Sequence, residues 1–560
     1  MTEYLTFKKS NCKNCYKCIR NCPVKSIRFS GNLASVIPDD CILCGQCYVV
    51  CPQNAKQIVD ETEKVGVLLK GGAPVYASVA PSFSAYFDGA PFAALETALK
   101  SLGFAAAEET ALGATMVKRE YEKLAAAGAQ DVIITSCCPT VNMLVEKYYP
   151  QLTGYLAPVM TPMQAHCADI KRRVPDAKTV FIGPCLSKKA EADRDGVDAA
   201  LTFDELRSLL DAQSVALAED PAAPSASDGR ARLFPTDGGI LKSMLKFEPA
   251  YTYLSIDGME SCKSALEDIA AGGLRRCFIE MSACEGSCIG GPILQKHKRA
   301  PLRGYQAVAA SAGEADFAIE QPDSSLLAAQ YTCELREHLM PGESEIAEIL
   351  RQMGKTKPED ELNCGTCGYN TCREKAVAVY QGKAELSMCL PYLMDKSERF
   401  TNDILENTPN GILVVNERME IQQLNRAALR TLNINSRADV LGEQLVRIMD
   451  PTDFIAVLNG APIVDKRGYY AEFDRCLELT IVHDRVSKHL IAIFRDVSDE
   501  ENARKSKEAF SRQTVETADR VVDKQMRIVQ EIASLLGETA AETKIALTKL
   551  KESITDDNHQ

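Results

Sequence analysis

The chain has 560 residues, of which 46% are hydrophobic, and a formal net charge of −13 at pH 7. That length predicts several domains with ordinary cores, and the acidic balance argues against nucleic acid as a partner. No apolar signal core follows Met1 and no run reaches about 18 apolar residues, so the expectation is a cytoplasmic protein without membrane spans. There are 22 cysteines, and in a reducing compartment such tight groups point to metal ligation and away from disulfides.

In residues 1–62, Cys12, Cys15, Cys18 and Cys22 precede Pro23, and Cys41, Cys44, Cys47 and Cys51 precede Pro52. Soft thiolates at this spacing wrap three corners of an iron–sulfur cubane, and the fourth ligand comes from the other run. One cluster is expected on Cys12, Cys15, Cys18 and Cys51, the other on Cys41, Cys44, Cys47 and Cys22. Zinc fits poorly with two four-cysteine runs that each end in proline. The segment resembles bacterial two-cluster ferredoxins.

In residues 68–345, apolar β-branched runs predict strands at Val75–Val79, Asp131–Thr135, Thr179–Ile182 and Cys277–Met281. Helices are expected between them, among them Ala93–Leu102 and Lys118–Ala127. Each strand runs directly into a loop of small residues: Ala80-Pro81-Ser82, Ser136-Cys137-Cys138-Pro139, Gly183-Pro184-Cys185 and Ser282-Ala283-Cys284. The pattern is α/β, where sites form beyond the carboxyl ends of strands, so four loops are expected to meet at one site. Glu219–Arg230 is expected to be a surface loop.

Those loops carry three cysteine motifs in order: T-S-C-C-P at Thr135–Pro139, P-C-x-x-K-K-x-E from Pro184 to Glu191, and A-C-x-x-x-C-x-G-G from Ala283 to Gly291. The set, covering roughly residues 1–395, resembles the iron-only (FeFe) hydrogenases. The resemblance implies that Cys138, Cys185, Cys284 and Cys288 hold a 4Fe–4S cubane. Cys288 would also bridge to a di-iron unit with CO, cyanide and a dithiolate, the pair forming an H-cluster. It places Cys137, Lys188 and Glu191 among the catalytic residues, with Cys137 as a proton shuttle and Lys188 as a hydrogen-bond donor to cyanide. Ala80, Pro81, Ser82 and Pro184 would pack against the cofactor. A buried thiol is the alternative for Cys137, and a solvated pair the alternative for Lys188-Lys189. Cys167, Cys262, Cys277 and Cys333 match no ligand position and are expected to be small core residues; His166 is expected to be structural.

The chain departs from its apparent family around the site. Gly183 and Ser282 stand where methionine is usual, which implies a larger, wetter pocket. Thr140-Val141 replaces Gly-Trp. A serine expected on the outward proton route aligns with Ala157, and the paired glutamates of the preceding helix fall in Val117-Lys118-Arg119-Glu120. Slow turnover is the expectation, because a missing relay removes a short hydrogen-bond path.

In residues 346–395, Cys364, Cys367, Cys372 and Cys389 resemble small 4Fe–4S domains of electron-transfer subunits, although four cysteines also suit zinc. This cluster is expected to extend a wire past the hydrogen site toward the C-terminal half. In residues 396–500, predicted strands at Ile412–Val415, Glu420–Leu424 and Leu490–Phe494, with Asp496-Val497-Ser498 behind, resemble a PAS sensor domain; His483 and His489 are expected to be ordinary exposed or core residues. In residues 501–560, apolar positions from Val522 to Leu550 recur at spacings of four and three, an amphipathic helix weakly interrupted by Gly537.

The chain is therefore expected to be a multidomain α+β and α/β protein. It would comprise a two-cluster ferredoxin module, an α/β H-cluster domain, a small 4Fe–4S domain, a PAS domain and a C-terminal helix. The resemblance implies a sensory hydrogenase of low turnover, with a PAS-regulated, ferredoxin-linked hydrogenase and a non-catalytic iron–sulfur assembly protein as alternatives. The implied partners are H2 and protons, a redox partner such as ferredoxin, maturation proteins, and a phosphatase, kinase or second copy on the C-terminal helix.

Overall fold

The computed structural model describes residues 4–217, 228–298, 300–334 and 339–556. Most of the expected loop at Glu219–Arg230 lies outside the described residues. The chain divides into two compact units, with the boundary after Leu393.

The first unit begins with a segment whose two halves repeat each other at an interval of 29 residues. Antiparallel strands Leu5–Phe7 and Lys56–Ile58 close it, and the hairpin Ile27–Ser30 with Leu33–Val36 lies between the two cysteine runs. Positive φ angles recur at Asn14 and Leu43, Tyr16 and Gly45, and Lys25 and Asn54. The left-handed conformation costs a non-glycine residue energy, so its recurrence at matching places marks a constraint shared by both runs.

Two parallel sheets follow. One has the order Thr252–Asp257, Cys277–Ser282, Val132–Ile134; the other has the order Ala106–Glu109, Val75–Val79, Lys178–Gly183, Ala199–Thr202. The central strands are mostly apolar and largely buried, as strands covered on both faces are, with Ser78 and Glu280 as buried exceptions. The predicted strands are all present within one or two residues of their expected ends. The helix expected from Lys118 starts earlier, at Ala111, and runs to Ala127, where Gly128 closes it in a left-handed cap. Cys167, Cys262 and Cys277 are buried as expected, whereas Cys333 is exposed. His166 is structural: one ring nitrogen lies 2.8 Å from Ser78 Oγ and the other 3.2 Å from Glu108 Oε2.

The second unit contains a five-stranded antiparallel sheet in the order Ile421–Leu424, Gly411–Asn416, His489–Asp496, Arg475–Asp484, Ile463–Tyr470. Its core includes Leu413, Leu424, Phe454, Leu479 and Phe494. The three strands read from sequence are there; Ile463–Tyr470 escaped because lysine, arginine and tyrosine mask its alternation, while Arg475–Asp484 does alternate, burying Leu477, Leu479 and Ile481. Helix Ser498–Asp556 is continuous through Gly537, and Val522, Met526, Val529, Leu536, Leu547 and Leu550 are all exposed on it.

Candidate metal centres

The site is built at the carboxyl ends of the two parallel sheets. Ala80–Ser82 and Pro184-Cys185 come from one sheet, and Cys137–Pro139 and Ser282–Cys284 from the other. All line one cavity of about 120 Å3 together with Lys188 and Cys288. The four loops converge as the strand pattern predicts. Glycines make the third loop possible: a Cβ on Gly290 would fall 1.7 Å from the Glu285 carbonyl oxygen.

The donor set is buried and electrostatically frustrated. Burial raises the thiol of Cys138, and the neighbouring Cys185 raises it further; Cys284 and Cys288 are pushed up by burial and by the same group of sulfurs. Cys288 has accessible surface, but that surface is cavity wall. Raised in this way the groups favour the thiol form, and a cationic metal is what would hold them as thiolates. Two donors also face the cavity without a directed acceptor. Ser82 Oγ has no partner among the described residues, and Lys188 Nζ lies 2.6 Å from Glu191 Oε2 without hydrogen-bond geometry. Lys188 and Lys189 are both buried, so the solvated-pair alternative fails; Lys189 Nζ is held 2.8 Å from Glu205 Oε1. Five thiols and two spare donors fit an iron–sulfur group that carries anionic hydrogen-bond acceptors. Glu191 also lines a second cavity of about 660 Å3 with Glu146 and Tyr331, so the Lys188–Glu191 pair stands between the two spaces.

Cys137 lines the cavity and also packs against a hydrophobic core cluster. Its Sγ lies 3.1 Å from Tyr121 Oη, which is also 3.1 Å from Ser136 Oγ and accepts the Ser136 amide at 3.0 Å. Burial pushes the Cys137 thiol up to about 12. The helix positions expected to carry glutamates are engaged elsewhere. Lys118 pairs with Asp316 and donates to the Ser243 carbonyl, and Glu120 accepts from Lys123 at 2.7 Å and Gln321 at 3.0 Å. Tyr121, the next residue, is the one that reaches the site. It escaped the sequence reading because a tyrosine on an amphipathic helix looks like core.

One expectation is corrected. Gly183 does not enlarge the pocket: a Cβ there would lie 2.6 Å from the Phe181 ring and 3.2 Å from the Ala80 Cβ, so Phe181 already fills the space. At the other altered position, Ser282 Oγ lies 3.0 Å from Ser287 Oγ, a polar pair where methionine is usual.

In the ferredoxin-like segment the last cysteine of each run accepts a backbone N–H, from Ser26 to Cys22 and from Ala55 to Cys51, each at 3.3 Å. Lys56, 2% exposed, acts electrostatically on both Cys18 and Cys47. The second run abuts the hydrogenase-like domain. Gly45 packs so closely on Pro292 that a Cβ would meet it at 2.7 Å, and Lys147 donates to the Cys41 carbonyl at 2.9 Å.

Cys364, Cys367, Cys372 and Cys389 line one small cavity with Lys375 and Tyr369. This module is held by residues 20–40. Arg20 donates to the Gly365 and Thr366 carbonyls, Lys25 to the Gly368 carbonyl, and Lys383 pairs with Asp40 at 2.8 Å. The ferredoxin-like segment thus has the two-sheet domain on one side and the small module on another. Among the described residues, no group of three or more His, Cys, Asp or Glu is spaced for a single metal ion, and no helix is long and apolar enough to cross a membrane.

Comparison with known proteins agrees with this chemistry. The family described as "Iron only hydrogenase large subunit, C-terminal domain" matches residues 73–292, "Putative Fe-S cluster" matches 360–391, and "4Fe-4S binding domain" matches 34–57. Iron hydrogenase 1 of Clostridium pasteurianum is 27% identical over 296 residues, 42% of this chain and 51% of that protein. The NADP-reducing hydrogenase subunit HndD of Solidesulfovibrio fructosivorans is 27% identical over 336 residues, 47% of this chain and 57% of that one. The cytosolic Fe-S cluster assembly factor NAR1 of Encephalitozoon cuniculi is 28% identical over 192 residues, 29% of this chain and 52% of its own length. The chain thus spans about half the length of these relatives.

Proposed function

We propose that this chain, whose residues 73–292 match the iron-only hydrogenase large-subunit family, is a sensory hydrogenase that binds or slowly oxidises H2. Residues 1–62 act as a two-cluster ferredoxin module, 68–345 as the H-cluster domain, 346–395 as a 4Fe–4S module, 396–500 as a PAS domain and 501–560 as a signalling helix. The observation that carries this reading is the cavity where five thiols meet the buried ammonium of Lys188, paired with Glu191, and Ser82 Oγ, which has no hydrogen-bond partner among the described residues.

Cys138, Cys185, Cys284 and Cys288 would hold the cubane, with Cys288 shared with the di-iron unit. That unit would supply the chemistry H2 = 2 H+ + 2 e−. Lys188 would donate to an anionic cofactor ligand, with Glu191 fixing its charge. Ala80, Pro81 and Pro184 would exclude water, and Ser82 Oγ would donate a hydrogen bond. Cys137 would take up or return the proton, with Tyr121 Oη as its next partner. Tyr121 is fully buried and burial raises its hydroxyl, which makes it a slow outlet and accords with low turnover. Electrons would leave through the ferredoxin-like segment toward a ferredoxin-type partner in the cytoplasm. The second unit would report through self-association of helix Ser498–Asp556 or docking of a phosphatase or kinase there. The test is Cys288→Ser, which should remove the di-iron unit while the other clusters load; retention of its infrared bands would refute the assignment.

The relative that assembles iron–sulfur clusters supports a second reading, a cluster-binding protein without H2 chemistry. Against it stand the buried lysine and the Cys137–Tyr121 contact, which a purely structural cubane does not need.

A further inference from the structure

The join between the small module and the ferredoxin-like segment buries two cations. Tyr369 is 2% exposed and its hydroxyl has no hydrogen-bond partner among the described residues; Nζ of Lys25 and Nζ of Lys375 each lie 5.9 Å from its ring centroid. Lys375 is 1% exposed and donates to the Glu385 carbonyl. Half-buried Lys25 donates at 3.2 Å to the carbonyls of Ile19, Arg20 and Gly368. These partners are dipoles, not anions, and an ammonium taken out of water on dipoles alone is costly. The nearby anions include sulfurs: Cys367 and Cys389, with Glu385 behind them, act electrostatically on Lys375, while Cys22 of the ferredoxin-like segment, with Glu374 and Glu260, acts on Lys25. Tyr369 in turn feels both Cys367 and Cys22, so it sits between the two cluster sites.

A cubane on four thiolates is anionic and gains one further negative charge on reduction. Fixed positive charge in a poorly solvated setting favours the more negative state. We propose that Lys375, which lines the cavity of the four cysteines, makes the Cys364–Cys389 cluster the electron-accepting end of the wire, with Tyr369 as the contact across which each electron arrives from the ferredoxin-like segment. One centre loses an electron and the other gains it; no bond or proton changes hands. The inference rests on the cluster assignments proposed above.

The experiment is a redox titration of the anaerobically reconstituted full chain, followed by electron paramagnetic resonance. The signal of this cluster is identified by its loss in Cys364→Ser. Lys375→Met is expected to make it harder to reduce by about tenfold, 59 mV for a one-electron couple. Lys375→Arg, which keeps the charge, is expected to titrate with the parent. A methionine variant that keeps its iron and titrates with the parent would overturn the role of the lysine. If Lys375→Met loses the cluster, Lys375→Gln decides in its place. A parent that holds no such cluster would overturn the assignment itself, and this inference with it.

Discussion

Cys137 and Cys138 are adjacent in the chain and differ in what surrounds them. Cys138 faces the other site sulfurs, and Cys137 faces the Tyr121 hydroxyl. Replacing Cys137 with serine should leave iron content and infrared bands intact while lowering H2 turnover by ~10²–10⁴, the usual worth of an acid–base relay; unchanged turnover would remove Cys137 from the proton route. Glu280 offers a separate test through pH. Burial raises its carboxyl to about 7, against the opposing hydrogen bond from the Leu241 amide. A raised carboxyl binds its proton more tightly in the folded chain, so stability is full below about 4.5 and falls as pH rises from there through 7. Glu280→Gln should therefore match the parent in unfolding at pH 4.5 and exceed it at pH 8 by up to ~3 kcal/mol. Equal stability at both pH values would show that Glu280 is not protonated at neutrality. At this scale the cysteines were legible because ligand spacing is a chemical requirement. Tyr121 and Phe181 were not, because their roles depend on which side chain is missing from a neighbour.

Secondary-structure elements show the same division. The apolar parallel strands declared themselves, whereas Ala106–Glu109, with sequence Ala-Ala-Glu-Glu, has no β preference and is a strand because Val75–Val79 pairs with it in the sheet. Gly537 was read as a weak break. A glycine costs only about 1 kcal/mol in a helix, and helix Ser498–Asp556 runs straight through it. Helix Pro162–Arg173 starts with a capping box, in which Thr161 Oγ1 accepts the Gln164 amide and Gln164 Oε1 accepts the Thr161 amide. Thr161→Ala should cost about 1 kcal/mol, read by denaturant unfolding, with no change in cluster spectra. At the strand end beside the site, Gly183→Met should displace Phe181 and shift the infrared bands. Identical bands would mean that Phe181 does not shape the pocket.

The whole molecule places cysteine-rich modules before a second compact unit on one chain. Modules were readable because each carries its own local pattern; their docking was not, because Arg20 bonding to Gly365 and Lys383 pairing with Asp40 leave no trace in spacing. Four cubanes predict about 16 irons per chain without the di-iron unit; about 12 with zinc present would give the Cys364–Cys389 site to zinc. Removing residues after Glu516 should preserve every cluster and any H2 chemistry yet abolish association in anaerobic sizing, since the exposed seam from Val522 to Leu550 would be gone. Unchanged sizing would reduce that helix to an internal brace. The central claim, that the cavity beneath Cys137 and Lys188 holds an H-cluster, is tested most directly by infrared spectroscopy of protein matured with the di-iron unit. The account predicts CO and cyanide bands that disappear in Cys288→Ser, with cyanide bands shifted by Lys188→Met. Protein fully loaded with cubanes but lacking those bands after maturation would contradict it.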